Sequence, residues 1–561
     1  MPLPFRINLI SAFTAAGSCL LLFQIILHLT KESKVALLGA GVWALSFELW
    51  QQATAIEVYA PQVFLFALTL YALIRWREAS SFSYLLFFGF SLGLAFANHL
   101  SIFVWVPAFV FLLITPHLKQ LRFHQWLLLI ALFLLGPLLY FTLLFRSQPP
   151  PSWAGINNSA TIFFRYITGA VYRYRFLAGG VNYLAGQLLS LPRTLFKQFT
   201  GFWLLLLPGI FWLYKKDKGL LSGLFLGSGL ATLTALFYNI PDKEGYFLPV
   251  YFCLALFIGS SPALLRSKKA QNLFFGLISF TLVSVVIWFY PRQNRSHLTA
   301  LSDLTHAVRT ELPNRAVLFT NDYSLFQAFN WYHITETHNP QIIVISEHHL
   351  LFPWYLKQLS QQLSIPESCF TLAQTFWQIS PKVSNPQFGS IAAQRVQEIK
   401  LQLLTTLAPC PAFYFPQDFS QEPEQWFRFR LKFHGLTYEF RPPEDTSLEP
   451  DIKFTFPGPE KYSTKKFFDP YAEDLCRRFA ATVNRRGMIR YAKGDITGAI
   501  ADFNLALLYY PDYPAPIENK GLVFALEGYP DSARFYLTKF IRLEPNSPEI
   551  KKVESFLNRL K

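Results

Sequence analysis

Along residues 8–290 the apolar positions fall in long, nearly unbroken runs separated by short polar loops; beyond about 290 they become short and periodic. The runs read as spans over about 8–29, 35–49, 61–74, 83–97, 101–115, 126–145, 202–214, 219–238, 247–263 and 272–290. A helix crossing a bilayer upright needs about 20 such residues, so the shorter runs extend into their aromatic flanks. This pattern predicts a polytopic membrane domain of about ten transmembrane helices over 1–290, with its ends inside soft loops.

The loops between these runs alternate in charge. One set holds Lys31, Lys34, Arg75, Arg77, Lys119, Arg122, Lys215, Lys216, Lys218, Arg266, Lys268 and Lys269. The opposite short loops hold Glu57, His99, Asp242, Lys243 and Glu244, a single lysine among them. The basic set is therefore cytoplasmic. The longer loop 146–200 lies opposite and adds Arg146, Arg165, Arg173, Arg175, Arg193 and Lys197, which narrows the bias without reversing it. On this orientation the residues after Tyr290 are extracytoplasmic, and the expected location is the inner (cytoplasmic) membrane, with the C-terminal domain extracytoplasmic or periplasmic. Met1 also falls outside. The opening "MPLPFRINLISAFTAAG" has no charged n-region or cleavage site, and Arg6 beside the first run opposes unaided translocation. The expectation is that a spanning helix precedes this chain.

Composition fits that division. Of 561 residues, 52% are hydrophobic and 15% charged, well under the ~25% of ordinary soluble domains. The net charge of +15 sits largely in inter-helix loops of the first half, so topology explains it without nucleic acid. Cys19, Cys253, Cys369, Cys410 and Cys476 show no metal-ligand spacing; a disulfide between Cys369 and Cys410 is one option in an extracytoplasmic domain.

In the second half, Ala316–Thr320 and Ile342–Ser346 are β-rich runs, each followed by a helical stretch. "PAFYFP" and "FRFRLKFHGLTYEFRPPE" read as further strands, with a turn at Gly435. A small α/β domain is expected over 291–441 and a linker over 442–475. From 476 to 561, Gly487, Ala499, Ala506 and Pro511 recur 34 residues later as Gly521, Ala533, Phe540 and Pro545. This resembles the tetratricopeptide pattern and predicts two TPR-like repeats, acting as a helical cap or as a groove for a protein partner.

Three stretches could carry chemistry. "LWQQATAIEVYAP" places Glu57, with Glu48 upstream, at the membrane mouth, where a partly dehydrated carboxylate can act as a general base. The ordinary alternative is a solvated acid flanked by the interface anchors Trp50 and Tyr59. "GLAFANHLS" puts Asn98 and His99 at the end of a span, to bind a phosphate, relay a proton or simply cap the helix. "PPPSWAGINNSATIFFRYITGAVYRYRFL" interleaves arginines with aromatics, which suits a lipid-linked phosphate or an amphipathic helix among headgroups.

Taken in order, "FELWQQATAIEVYAPQVFLFALTLYALIRW", "YLLFFGFSLGLAFANHLSIFVWVPA", "WAGINNSATIFFRYITGAVY", "DKEGYFLPVYFCLALFIG" and "LPNRAVLFTNDYSLFQAFNWY…QIIVISEHHLLFPWYLKQL" resemble the DUF2723 family over most of residues 5–440. That family is similar to protein O-mannosyltransferases, including the animal transmembrane enzyme acting on IPT-fold domains. The resemblance implies a GT-C-like membrane fold. It also implies transfer of a sugar, mannose in relatives, from a polyprenyl-phosphate carrier to a hydroxyl acceptor, protein Ser or Thr, on the outer face. No cofactor is implied beyond that lipid-linked donor. The partners would be the donor and an exported protein acceptor, with no nucleic acid. The family's acidic loop, which bears its presumed catalytic aspartate, has no counterpart here before Glu32, so no base carries over residue by residue. The catalytic candidates are Glu57 and His99; the candidate lining for substrate is Tyr59, Asn98, Trp153, Arg173, Arg175 and Tyr246, with no metal ligands. Two other readings remain: an inactive membrane-anchored scaffold holding a partner through its outer domain and repeats, and a transporter. The latter lacks an internal repeat or paired broken helices.

Overall fold

In the computed structural model, the described residues are 3–114, 121–145, 160–170, 175–176, 180–240, 243–265, 267–294, 299–335, 342–379, 385–407, 410–416, 430–442, 444, 457–462 and 470–559. The chain forms two compact units, Met1–Pro149 with Gly155–Arg295, and Pro150–Ala154 with Ser296–Lys561.

The first unit is helical. Among the described residues, six helical stretches are long and apolar enough to cross a membrane: Phe5–Thr30, Phe123–Leu144, Tyr183–Lys216, Lys218–Phe237, Lys243–Leu264 and Lys268–Pro291. These coincide with six of the ten expected runs. The other four fall on elements of a different kind. Ser33–Ala44 stops at Leu45 and restarts as Phe47–Ala53. Tyr59–Ala79 is 21 residues long but ends in Arg75, Arg77 and Glu78, which lower its hydropathy. Phe82–Asn98 is 17 residues. The run at 101–115 is a 3-10 helix, Leu100–Trp105, followed by the short helix Val106–Leu113.

An aromatic core ties these pieces together. Phe66 packs 4.5 Å from Trp105 and 5.9 Å from Phe252, whose ring lies 5.6 Å from Trp43. Trp43 Nε1 donates to Ser18 Oγ at 2.9 Å, so its polar atom is not left unpaired inside. Phe82–Asn98 and Phe123–Leu138 approach backbone to backbone. A Cβ on Gly136 would lie 1.9 Å from the Gly93 carbonyl oxygen, so glycine alone permits that crossing. On the last helix, Leu273, Phe280 and Ile287 are more than 70% exposed, the signature of a lipid-facing surface.

The second unit carries a five-stranded mixed sheet: β1 (Val317–Thr320), β2 (Ile343–Ser346), β3 (Ala412–Phe415), β4 (Arg430–Phe433) and β5 (Tyr438–Arg441). Its order is β2-β1-β3-β5-β4, with β1 parallel to β2 and β3, and β5 antiparallel to β3 and β4. The strands fall where the β-rich runs were read. Gly435 turns the β4–β5 hairpin at φ +118°, and Glu311 holds that turn through the N–H groups of Leu436 (2.8 Å) and Thr437 (3.0 Å). Lys400, wholly buried, pairs with Glu347 and lies 4.4 Å from the Tyr414 ring centroid. Burial pulls its amine down to about 8, against the opposing pull of Glu347.

Helices Ala300–Glu311, Tyr323–Thr335, Pro353–Leu359, Glu367–Ile379 and Asn385–Thr406 accompany the sheet, and five more follow it: Pro470–Ala492, Ile496–Tyr509, Pro514–Leu526, Pro530–Leu543 and Ile550–Arg559. The first begins at Pro470, ahead of the expected 476, and most of the expected linker lies outside the described residues. Two ties between paired helices recur at the 34-residue spacing. Arg486 clamps Asp502 with two hydrogen bonds (2.8 and 2.6 Å), and Lys520 donates to Tyr536 OH at 2.7 Å. The cysteines are all free; Cys369, considered above for a bridge to Cys410, instead donates its thiol to Gln402 Oε1 at 3.3 Å.

Candidate functional site

Four residues singled out in the sequence meet in the first unit. Tyr59 opens the helix Tyr59–Ala79; Asn98 closes Phe82–Asn98; His99 is the extended residue between that helix and the next; Tyr246 sits in the 3-10 helix Lys243–Phe247. The Tyr59 ring centroid lies 5.6 Å from His99 and 5.7 Å from Tyr246, and His99 lies 5.1 Å from Tyr246, edge to face. Tyr238 extends the group, 5.6 Å from Tyr246. Gly245 allows this approach, because a Cβ there would fall 2.6 Å from the Tyr59 ring.

The polar atoms are fixed by partners distant in sequence. Asn98 Nδ2 donates to the Val58 carbonyl and to Gln62 Oε1, both at 3.0 Å, and Gln62 Nε2 reaches the His99 carbonyl at 3.4 Å. His99 Nδ1 accepts from the Ser101 backbone N–H at 3.2 Å and lies 2.8 Å from Ser101 Oγ. A backbone N–H can only donate, so the neutral ring carries its proton on Nε2. His99 is therefore arranged to donate a hydrogen bond, for instance to a phosphate or a developing oxyanion, rather than to take a proton.

Glu57 is exposed in the turn before Tyr59, and its backbone carbonyl accepts from Ser11 Oγ at 3.5 Å. The Arg175 carbonyl accepts from the Asn239 N–H at 3.1 Å, one residue from Tyr238, so its backbone adjoins the aromatic group. Trp153 and Arg173 lie outside the described residues.

Glu48, noted in the sequence only as a neighbour of Glu57, has a more particular setting. It is 4% exposed; Gln52 Nε2 donates to its carboxylate at 2.9 Å, and its N–H donates to Gln198 Oε1 at 3.0 Å. These contacts fix both amide orientations. They leave Gln52 Oε1 and Gln198 Nε2 buried without partners, one an acceptor and the other a donor. Satisfying them takes one donor and one acceptor, and each unpaired atom otherwise costs about 1–3 kcal/mol. Nearby, Lys243 donates to Tyr183 OH at 2.9 Å. Gln62, Ser101, Gln198 and Tyr183 were not singled out from the sequence; Gln62, Gln198 and Tyr183 act through partners far away in the chain, and Ser101, two residues from His99, carries no motif of its own. Among the described residues, no three His, Cys, Asp or Glu side chains converge as a metal site.

These features define a multi-spanning membrane protein with a neutral, aromatic-walled polar cluster at one end of its helices. Residues 2–122, which hold Glu48, Glu57, Tyr59, Gln62, Asn98 and His99, match the family model described as the Protein O-mannosyl-transferase TMEM260 N-terminal domain. The match supports an O-mannosyltransferase-like family for this region. No curated protein matches the chain.

Proposed function

We propose that the protein is a GT-C-type membrane glycosyltransferase that moves a hexose, mannose by resemblance, from a polyprenyl-phosphate carrier to a Ser or Thr hydroxyl of an exported protein on the outer face of the membrane. The observation that carries this reading is that the family match covers the same stretch whose Tyr59, Asn98 and His99 converge with Tyr246. In the reaction the acceptor oxygen attacks the anomeric carbon, the bond from that carbon to the phosphate oxygen breaks, and polyprenyl phosphate leaves with the electron pair. Glu57 takes the hydroxyl proton. His99 Nε2–H, with Arg173 and Arg175, steadies the leaving phosphate. The paired C-terminal helices act as TPR-like repeats that hold a protein partner.

The test is mannosyl transfer from polyprenyl-phosphate mannose to a Ser/Thr-rich peptide by the full chain in nanodiscs, followed by mass spectrometry. Glu57→Gln should lower kcat about 10²-fold, the usual contribution of a positioned base. His99→Phe keeps the ring contacts but removes the donor, and should lower kcat about tenfold or more. Unchanged transfer in both variants removes these residues from the site, and no transfer by the wild-type chain overturns the reading.

A further inference from the structure

Lys243 is a buried cation beside the aromatic group of the first unit, and the transfer chemistry does not use it. It is 8% exposed; the other buried charged side chain among the described residues of that unit is Glu48. Its ammonium donates to Tyr183 OH at 2.9 Å and lies 4.9 Å from the centroid of the same ring. A hydroxyl and a ring face carry no formal charge, and among the described residues no carboxylate pairs with Lys243. An ammonium has three N–H donors, so Tyr183 leaves two for other acceptors.

The buried lysines of the second unit are settled differently. Lys400 has the Glu347 carboxylate, and Lys520 spends two donors, on Asn504 Oδ1 at 2.6 Å and Tyr536 OH at 2.7 Å. Lys243 has neither a counter-ion nor a second acceptor, in a unit where a buried charge costs most.

The local backbone turns it toward the site. Lys243 opens the 3-10 helix Lys243–Phe247, in which side chains three residues apart eclipse, so Lys243 and Tyr246 share a face. Tyr246 is the ring packed 5.1 Å from His99 and 5.7 Å from Tyr59. The adjacent acid, Glu244, is exposed and shares its own face with Phe247, which stacks 5.8 Å from Tyr251. The turn leading into Tyr59 is open, with Ile56, Glu57 and Val58 exposed, and Asn98, His99 and Tyr246 are only half-buried.

We propose that Lys243 binds the phosphate of the lipid-linked sugar and holds the charge that this phosphate gains as the sugar leaves. When the bond from the anomeric carbon to the phosphate oxygen breaks, its electron pair stays on that oxygen. The diester donor has a single negative charge, whereas a phosphate monoester carries about 1.5–2 near neutral pH. A fixed cation therefore favours the departing group over the bound donor. The identity of the phosphate rests on the transferase reading; the lack of a counter-ion at Lys243 does not.

The experiment is equilibrium binding of radiolabelled undecaprenyl phosphate to the full chain in phosphatidylcholine nanodiscs, with undecaprenol and phosphatidylglycerol as competitors. The wild-type chain should prefer the phosphate over the alcohol by about tenfold or more, as a charge-assisted contact gives. Lys243→Met, similar in length but neutral, should lose that preference. It should also raise the thermal stability of the unliganded protein, because it removes a buried charge without a counter-ion. Four results overturn the inference: an unchanged preference in Lys243→Met, a lower stability of that variant (a structural lysine), repair of that variant by Asp242→Asn (an ion pair with its neighbour), or equal displacement by phosphatidylglycerol (a general headgroup site). Binding that depends on phosphate and Lys243 without any sugar transfer sinks the transferase reading and leaves this site standing. Full transfer by Lys243→Met does the reverse.

Discussion

Among the described residues of the membrane unit the buried polar side chains are mostly neutral: Ser18, Gln62, Thr69 and Ser91, tied to an amide, indole, hydroxyl or carbonyl, and Gln52 and Gln198, tied to the carboxylate and the backbone N–H of Glu48, with Glu48 and Lys243 as buried ionisable exceptions. In the second unit the interior holds ions, and among the described residues most come in pairs: Lys400 with Glu347, Arg478 with Asp322, Arg486 with Asp502, while buried Lys520 donates to the neutral Asn504 and Tyr536. The physics differs because an ion inside a bilayer-facing bundle has little water to lean on, whereas a soluble unit can bury a pair if every lone pair is matched. The two exceptions in the membrane unit stand out for that reason. Glu48 is linked to the two amides that leave one acceptor and one donor unpaired, and Lys243 borders Tyr246. Where the first unit departs from its own rule, it does so beside its candidate site.

The sharpest way to break this comparison is to remove one member of a buried pair. Lys400→Met leaves the Glu347 carboxylate buried and uncompensated, and should destabilise the second unit by about 3–5 kcal/mol. The double variant Lys400→Met with Glu347→Leu should recover most of that loss. Hydrogen exchange of the amides in β1, β2 and β3 measures both. If the single and double variants exchange alike, the pair is not what the sheet depends on.

A smaller effect belongs to the membrane unit, where a neutral network should yield by single hydrogen bonds. Asn98→Ala leaves the Val58 carbonyl and Gln62 Oε1 without their donor, at a cost of about 1–3 kcal/mol. It should also raise the KM for the lipid donor more than it lowers kcat, because Asn98 positions Tyr59 and His99 rather than reacting. A drop confined to kcat would assign Asn98 to the chemistry instead.

The extent to which the site was legible follows the same division. Tyr59, Asn98, His99 and Tyr246 could be read from the sequence because each is a polar or aromatic residue at the end of an apolar run. Gln62 and Gln198 could not. Their partners lie 36 and 150 residues away, and Gln198 acts on the Glu48 backbone N–H, which every residue type would present. The sheet was legible because β-branched and aromatic runs at Val317–Thr320 and Ile343–Ser346 are bounded by polar residues. The break of the second apolar run was not, because nothing polar enough to interrupt it stands between Ala44 and Phe47. Its helix ends where the Ser46 N–H turns back to the Trp43 carbonyl at 3.0 Å, a backbone event that apolar periodicity does not record.

The smallest effect concerns the repeated helix pairs, where an ionic tie in the first pair and a neutral one in the second occupy equivalent positions. Asp502 is 2% exposed and accepts two hydrogen bonds from Arg486, with Arg490 3.3 Å away. Lys520 has Asn504 Oδ1 at 2.6 Å as well as Tyr536 OH. Tyr536→Phe therefore removes one of two acceptors and should cost about 0.5–1.5 kcal/mol. Asp502→Asn strips the partly buried Arg486 guanidinium of its counter-charge and should cost more, about 3 kcal/mol. Hydrogen exchange in Ile496–Tyr509 and Pro530–Leu543 reads the two losses separately. Equal losses would mean that helix packing, not the polar tie, sets the stability of each pair, and the 34-residue recurrence of these ties would then carry no energetic weight.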